Sequence, residues 1–435
     1  NDAAYLRPVL RLVADCLTPP AQSSPFFLSE RRLSHALCEN TVQSMNMGED
    51  IVAHLHGASA FIQVDHMGRS WLRLEFLHFV STTDGTVRLM VYGNRKQDRM
   101  YYAQALTLPR GLVKKWRCSL DGVTEDARLA SFFGYDAVAY CDLPLVPGSE
   151  TKELRPSLSM GSAYTNNFRL CLPQKKRWRL AACTQPLHSF AKMEQLAPTL
   201  LKDFLDYHQL LGIEHFTIFD ADGSLSGPLE RYRAGDERKV EIEYVDHWPK
   251  RLGAAHATGG SDWRPLLFEV EAENYCLWRY RGQADWAVVL HSPDEFLHVV
   301  GMERPRALHR FLDPLEAQRP SISHVELRQI LFGGEVEDAT SLPGRFRYRE
   351  EGSEAIMAVA HTAIVNVENV AQAGVHPARP RPSLPSEPAL RIIHSDPMND
   401  IRINHYVNAL GQQRCGAKLC KVLDGSALWA EEMLK

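Results

Sequence analysis

The sequence lacks most of the short motifs that announce a function. None of its nine cysteines forms a CxxC pair, which argues against a zinc ribbon or a redox dithiol. No Asn-x-Ser/Thr sequon occurs, which weakens a secretory assignment without excluding a lumenal one. No apolar run is long enough to span a bilayer. Lys and Arg number 49 against 53 Asp and Glu, a net charge of -4, so the basic footprint of a nucleic-acid binder is missing. No internal repeat of fixed period appears.

What is present is ordinary globular composition, 45% hydrophobic and 23% charged, enough for sizeable cores. A length of 435 residues implies two domains or more, at about 100–200 residues each. The chain starts at Asn1 and reads as a mature or trimmed form, with any membrane anchor upstream.

Residues 1–170 read as a β-rich accessory domain of sandwich or barrel type. Aromatic and β-branched residues alternate in part over 61–80 and 87–92, with turn signals at Gly68 and Asp84-Gly85. Residues 144–167, rich in Pro, Gly and Ser, read as a linker. From 171 to 435 the pattern becomes α/β. A strand over 178–183 is followed by Leu200, Leu201, Phe204, Leu205, His208 and Leu211 at helical spacing, stopped by Gly212. A strand over 213–219 completes a βαβ unit. Strands over 240–245 and 284–290 flank a helix over 265–281, stopped by Gly282. These alternations predict a mostly parallel sheet covered on both faces. Further on come a proline-rich surface segment at 376–385, a strand over 401–403 and a short terminal helix over 427–435.

Two strands stop at acidic loops. Phe216–Phe219 runs into Asp220 and Asp222, and Trp286–Leu290 into His291, Asp294 and Glu295. The carboxyl ends of strands in an open α/β sheet are where ligands sit. Carboxylates there suit hard cations such as Mn2+ or Mg2+, which can bridge a diphosphate. The paired junctions therefore point to a metal-bound phosphate ligand. Each piece has a plainer reading: Asp-x-Asp-Gly is good turn chemistry, and an acidic pair often caps the next helix. Thr184, at the end of the first strand, is placed to touch a nucleotide or merely to end the strand. His376 and His405 follow apolar segments, and either could complete a metal shell. His208 lies on an apolar helix face and reads as a core residue. Cys183 and Cys276 read as core thiols. Cys415 and Cys420 could pair in an oxidising compartment.

Four segments, in order, resemble glycosyltransferase family 92, the group of plant galactan synthases and animal galactosyltransferases. They are LLKDFLDYHQLLGIEHFTIFDADGS, AENYCLWRYRGQADWAVVLHSPDEFL, AGVHP and IRINHYVNA, within about 177–421. The resemblance implies a GT-A (Rossmann-like) domain that binds a nucleotide sugar and inverts the anomeric carbon. It places Asp220 and Asp222 near the nucleotide, Asp294 as main metal ligand, and His405 as C-terminal ligand with His376 in reserve beside the nucleotide sugar. The family loop is Asp-x-Asp-Glu-Phe. Here Ser292 stands at its first Asp, or His291 if one inserted residue is allowed. FGGEVEDA, at 332–339, stands where the family has a Phe-Gly stretch beside the acceptor, making Glu335 and Asp338 candidates for the base. In the plant relatives the front domain resembles a carbohydrate-binding module.

The expectation is an inverting, metal-dependent (Mn2+ or Mg2+) glycosyltransferase of the Golgi or secretory-pathway lumen. It would move galactose from UDP-galactose to a glycan acceptor. The rivals are a non-catalytic carbohydrate-binding or scaffold protein with a degenerate site, and a nucleotidyltransferase. Oligomeric state stays open, a homodimer among the choices.

Overall fold

The structure is a computed structural model. It describes residues 60–63, 71–81, 86–96, 116–120, 122–133, 136–144, 153–154, 157–160, 163–165 and 170–171. It also describes residues 178–426 and 429, except 235–239, 247–268, 281–282, 352–360, 374–377, 382, 384–387, 412–414 and 417. The chain divides into two compact units, Asn1–Lys175 and Lys176–Lys435. Among the described residues no helix is long and apolar enough to cross a membrane.

The first unit is built of strands. They are β1 (Ala60–Gln63), β2 (Trp71–Ser81), β3 (Thr86–Lys96), β4 (Trp116–Leu120), β5 (Val123–Asp126), β6 (Arg128–Phe133), β7 (Asp136–Pro144), β8 (Glu153–Leu154), β9 (Ser157–Met160), β10 (Ala163–Thr165) and β11 (Leu170–Cys171). One sheet runs β1-β2-β3-β7-β6 and another β10-β9-β4-β5. A Cys118–Cys141 disulfide ties β4 to β7, and so one sheet to the other. The segment 144–167, read as a linker, instead supplies β9, which pairs with β4, and β10, which pairs with β9.

The second unit opens with β12 (Trp178–Thr184), α1 (Phe190–Leu196), α2 (Leu200–Leu211), β13 (His215–Phe219), α3 (Ser226–Arg233) and β14 (Glu241–Val245). Then come α4 (Glu269–Tyr280), β15 (Ala284–Leu290), β16 (Glu295–Val299), α5 (Ala307–Glu316), β17 (Ile322–Gly333), α6 (Leu342–Arg345) and β18 (Tyr348–Glu350). The last strands are β19 (Thr362–Asn366), β20 (Val370–Gln372), β21 (Arg379–Pro380), β22 (Arg391–His394), β23 (Ile401–His405) and β24 (Cys420–Leu423). The helix expected over 427–435 lies outside the described residues except for Trp429, which is helical.

An 11-stranded mixed sheet carries this unit. Strands β14-β13-β12-β15 are parallel neighbours. The sheet then departs from the mostly parallel expectation, because β19 enters antiparallel to both β15 and β17. Strand β23 lies parallel to β17 and antiparallel to β16. Chain order reverses between β12 and β15, with β13 and β14 on one side and β15 on the other. Such a reversal leaves a crevice at the carboxyl ends of the strands.

Helix α2 shows how the core forms. Its residues at helical spacing bury Leu200, Phe204, Leu205 and Leu211 at 1% exposure or less, and the Phe204 ring packs on Phe216 and Phe296. Burial of each such side chain contributes about 1.5–3 kcal/mol. Gly212 ends the helix at φ 109°, a left-handed cap that suits glycine. His208 is a satisfied core residue. Its Nδ1–H donates to Phe204 O (2.7 Å) and its Nε2 accepts from Leu297 N–H (3.2 Å), so the ring anchors β16. Cys183 and Cys276 are not free thiols. They form a disulfide between β12 and α4, whose Cα atoms stand 6.1 Å apart. Cys415 and Cys420 are likewise bonded.

Candidate metal centre

The loop after β15 is short because Glu295 does not belong to it. Glu295 begins β16, where it pairs with His405 of β23, and His405 pairs in turn with Leu331 of β17. Glu295 and His405 therefore stand directly opposite on one face of hydrogen-bonded strands. His361, immediately before β19, comes from the other side. Its Nε2–H donates to Glu295 Oε1 at 2.7 Å. The His291 backbone N–H donates to Glu295 Oε2 at 2.8 Å, and its imidazole Nδ1 lies 3.7 Å from Oε1. The His291 and His361 ring centroids are 4.5 Å apart, and those of His361 and His405 5.8 Å.

Glu295 is 1% exposed, and its electrostatics follow from its neighbours. Burial alone would raise its pKa. The charges of His361 and His291, a hydrogen bond from His361 and the more distant His405 outweigh that and hold it well below the usual carboxylate range. A buried carboxylate that stays ionised needs a positive partner, and a bound dication serves as well as an imidazolium.

Beside this group, Asp294 is 1% exposed, and its Oδ1 has no hydrogen-bond partner among the described residues. Its backbone carbonyl accepts from Tyr406 N–H, which fixes the turn against β23. His405 Nε2 faces Asp294 Oδ1 at 3.6 Å, while His405 Nδ1 is engaged with Gln329 Oε1 at 2.8 Å. A second partner on the far nitrogen is the usual way a protein aims a ligating imidazole.

One donor atom each from His291, Glu295 and His361 lies within 4.8 Å of the others, so these three could hold a metal ion. Ligands at about 2.0–2.2 Å from a common ion are themselves about 3–4 Å apart, so modest closure suffices. Two imidazoles and a carboxylate suit Mn2+, Zn2+ or Co2+ better than Mg2+.

No family model and no curated protein matches this chain.

The remaining residues singled out in the sequence fall into place as follows. Thr184 ends β12 fully buried, and its hydroxyl accepts from Phe219 N–H at 3.2 Å, tying two strand ends together. Asp220 is also fully buried. Its oxygens accept from the N–H groups of Asp222, Gly223 and Leu225 and from the Tyr244 hydroxyl. Burial raises its pKa against those hydrogen bonds. Asp222 accepts from Ser189 and Ser224 N–H, which lower its pKa in spite of partial burial. Both carboxylates thus build the turn after β13. Glu335 and Asp338 are exposed on the loop after β17. His376 lies outside the described residues.

His361 was invisible to sequence reasoning because it stands 66 positions from Glu295. Only its place directly before a buried apolar strand could have flagged it. Gln329 was missed for the same reason.

Proposed function

We propose that the second unit is a metal-dependent, inverting glycosyltransferase of GT-A type that uses a nucleotide sugar, with UDP-galactose as the leading donor. One observation carries this reading. At the carboxyl end of β15, next to the reversal of strand order, stand three side chains that could hold a metal ion, His291, Glu295 and His361, with Asp294 and His405 beside them. The ordered segments that resemble glycosyltransferase family 92 support it, since they contribute Asp294 and His405. The three disulfides among the described residues support a lumenal, oxidising compartment such as the Golgi.

In this mechanism Glu295, His361 and His291 would hold the ion, with Asp294 and His405 beside it, and a dication there would supply positive charge for the diphosphate of the leaving nucleotide. The crevice orients the donor for in-line attack by an acceptor glycan hydroxyl. A carboxylate of the Glu335–Asp338 loop takes the hydroxyl proton; Glu335 lies four positions after Leu331, the β17 residue paired with His405.

The test is a panel of UDP- and GDP-sugars with and without Mn2+, on the native chain, Asp294→Ala and Glu295→Gln. Mn2+-dependent release of UDP should fall about 100-fold or more in both variants. Unchanged turnover in both would overturn the metal role. One observation favours the rival reading of a degenerate, carbohydrate-binding relative: Ser292, or His291 if one inserted residue is allowed, stands at the place of the first acid in the loop. Absence of UDP binding at millimolar concentration by calorimetry would decide for that rival.

A further inference from the structure

We infer that the disulfide-closed ring Cys415–Cys420 positions the loop 334–341, and that through this loop it sets the reach of the proposed base without entering the donor site. The catalytic part rests on the proposed function, which puts the base at Glu335 or Asp338. The positioning part rests on geometry alone.

Strand β17 ends at Gly333, and the chain turns away directly against the ring. Gly334 N–H donates to Cys415 O at 2.8 Å. A Cβ at Gly333 would lie 2.6 Å from that same oxygen and 2.6 Å from the Asn408 side-chain nitrogen. A Cβ at Gly334 would come within 2.9 Å of Cys420 O, and its φ of 76° itself favours glycine. Paired glycines here mark the close approach of two backbones. The Gly-Gly of FGGEVEDA thus fits the chain to the ring, and the ring sets the direction in which the loop leaves the sheet.

The ring is itself held in place. Asn408 clasps Cys415 in both directions: its Nδ2–H donates to Cys415 O at 2.7 Å, and its Oδ1 accepts from Cys415 N–H at 3.1 Å. Both cysteines are buried and pack with Val407, Leu331 and Tyr348. Their sulfurs lie against Leu331 O, at 4.0 Å for Cys415 and 3.4 Å for Cys420. The bond joins residues only five positions apart. So short a ring constrains the unfolded chain less than the Cys183–Cys276 bond does, and its effect is correspondingly local.

The far end of the loop is tied to another element. Leu342 N–H donates to Asp203 Oδ2 at 2.7 Å, and the Thr199 hydroxyl donates to the same oxygen at 2.7 Å. Asp203 is buried on α2. Between the two ends Glu335, Val336, Asp338 and Thr340 are exposed. The loop is thus a short span with its carboxylates outward, fixed by the ring at one end and by α2 at the other. Opening the ring shifts the entry while the exit stays. A misplacement of about 1 Å can cost a catalytic group about 100-fold in rate. Leu331, the β17 partner of His405, keeps a tie that does not involve the ring, because its N–H donates to Glu350 Oε1 at 3.0 Å. The proposed metal centre therefore does not depend on the ring.

The experiment uses the full chain in three forms: native, Cys415→Ser with Cys420→Ser, and Asn408→Ala. The last keeps the disulfide and removes only the clasp, so it serves if the double variant does not fold. Amide hydrogen exchange is read by mass spectrometry, UDP affinity with Mn2+ by calorimetry, and turnover as UDP release from UDP-galactose. Exchange over 334–341 should quicken about tenfold or more in both variants, while α2 and β15 keep native protection. UDP affinity should stay native while turnover falls about tenfold or more, a split that general loss of structure would not give. Native exchange over 334–341 in a folded variant would overturn the positioning role. A loosened loop with native turnover, or with UDP affinity lost in step, would overturn the link to the base. A native chain that neither binds UDP nor releases it would sink the glycosyltransferase reading instead, and exchange alone would then decide the positioning role.

Discussion

The carboxylate of Asp220 accepts four hydrogen bonds, three from backbone N–H groups of its own turn and one from Tyr244. Removing it strands those donors next to a packed strand end. Asp220→Ala should therefore cost about 2–4 kcal/mol in urea unfolding, since each buried donor left unsatisfied costs about 1–3. Thr184→Val should cost about 1 kcal/mol by removing the hydrogen bond between its hydroxyl and Phe219 N–H, with nucleotide affinity unchanged if the hydroxyl is only a tie. A loss of affinity without loss of stability in either variant would restore the nucleotide role. At this scale the sequence was legible for residue type and misleading for use. Asp-x-Asp-Gly could be seen, but not that both carboxylates are spent on backbone donors. His361 could not be seen, because its meaning depends on strand pairing across 66 positions.

Elements with regular periodicity were readable. Helix α2 and strand β15 lie where apolar spacing and a following glycine or acid placed them. Strand β16 was not, since Asp294-Glu295 resembles a polar turn until Glu295 is seen hydrogen-bonded by His361 and paired to His405. Gly212 is needed at its φ of 109°, and a Cβ there would also come within 2.6 Å of the His309 ring. Gly212→Ala should destabilise by about 2 kcal/mol, read as a shifted denaturant midpoint with unchanged slope. The Cys183–Cys276 bond closes a separation of 93 residues between a strand and a helix. Cys183→Ser with Cys276→Ser should lose about 2–5 kcal/mol, seen in thermal melts of oxidised protein.

For the second unit as a whole, acid is the expected weakness. His208 and His298 are buried with pKa values pushed down to about 3, in both cases first by burial, and for His298 also by Arg402. A histidine whose folded pKa lies below its unfolded value of about 6.5 stabilises above pH 6.5 and loses that contribution as pH falls toward 3. Two such groups give a slope of up to about 3 kcal/mol per pH unit below 6.5. Melting temperature should fall steeply between pH 6 and 4, and His298→Gln should flatten the curve, provided that variant is folded at pH 7. A flat profile in the native chain would refute these shifts.

The division of labour around Glu295 has a further consequence. Glu295 and His405 are fixed by strand register, where a slip of one residue would turn either side chain to the opposite face. His291 stands on the short turn before β16, where its backbone N–H donates to Glu295 Oε2 at 2.8 Å. The proposed centre thus combines strand-borne and turn-borne residues. In the proposed metal reading, His291→Asp should move selectivity from Zn2+ toward Mn2+ and Mg2+ in competition titrations. Variation among future relatives should then concentrate in the turn and spare the strands that flank it.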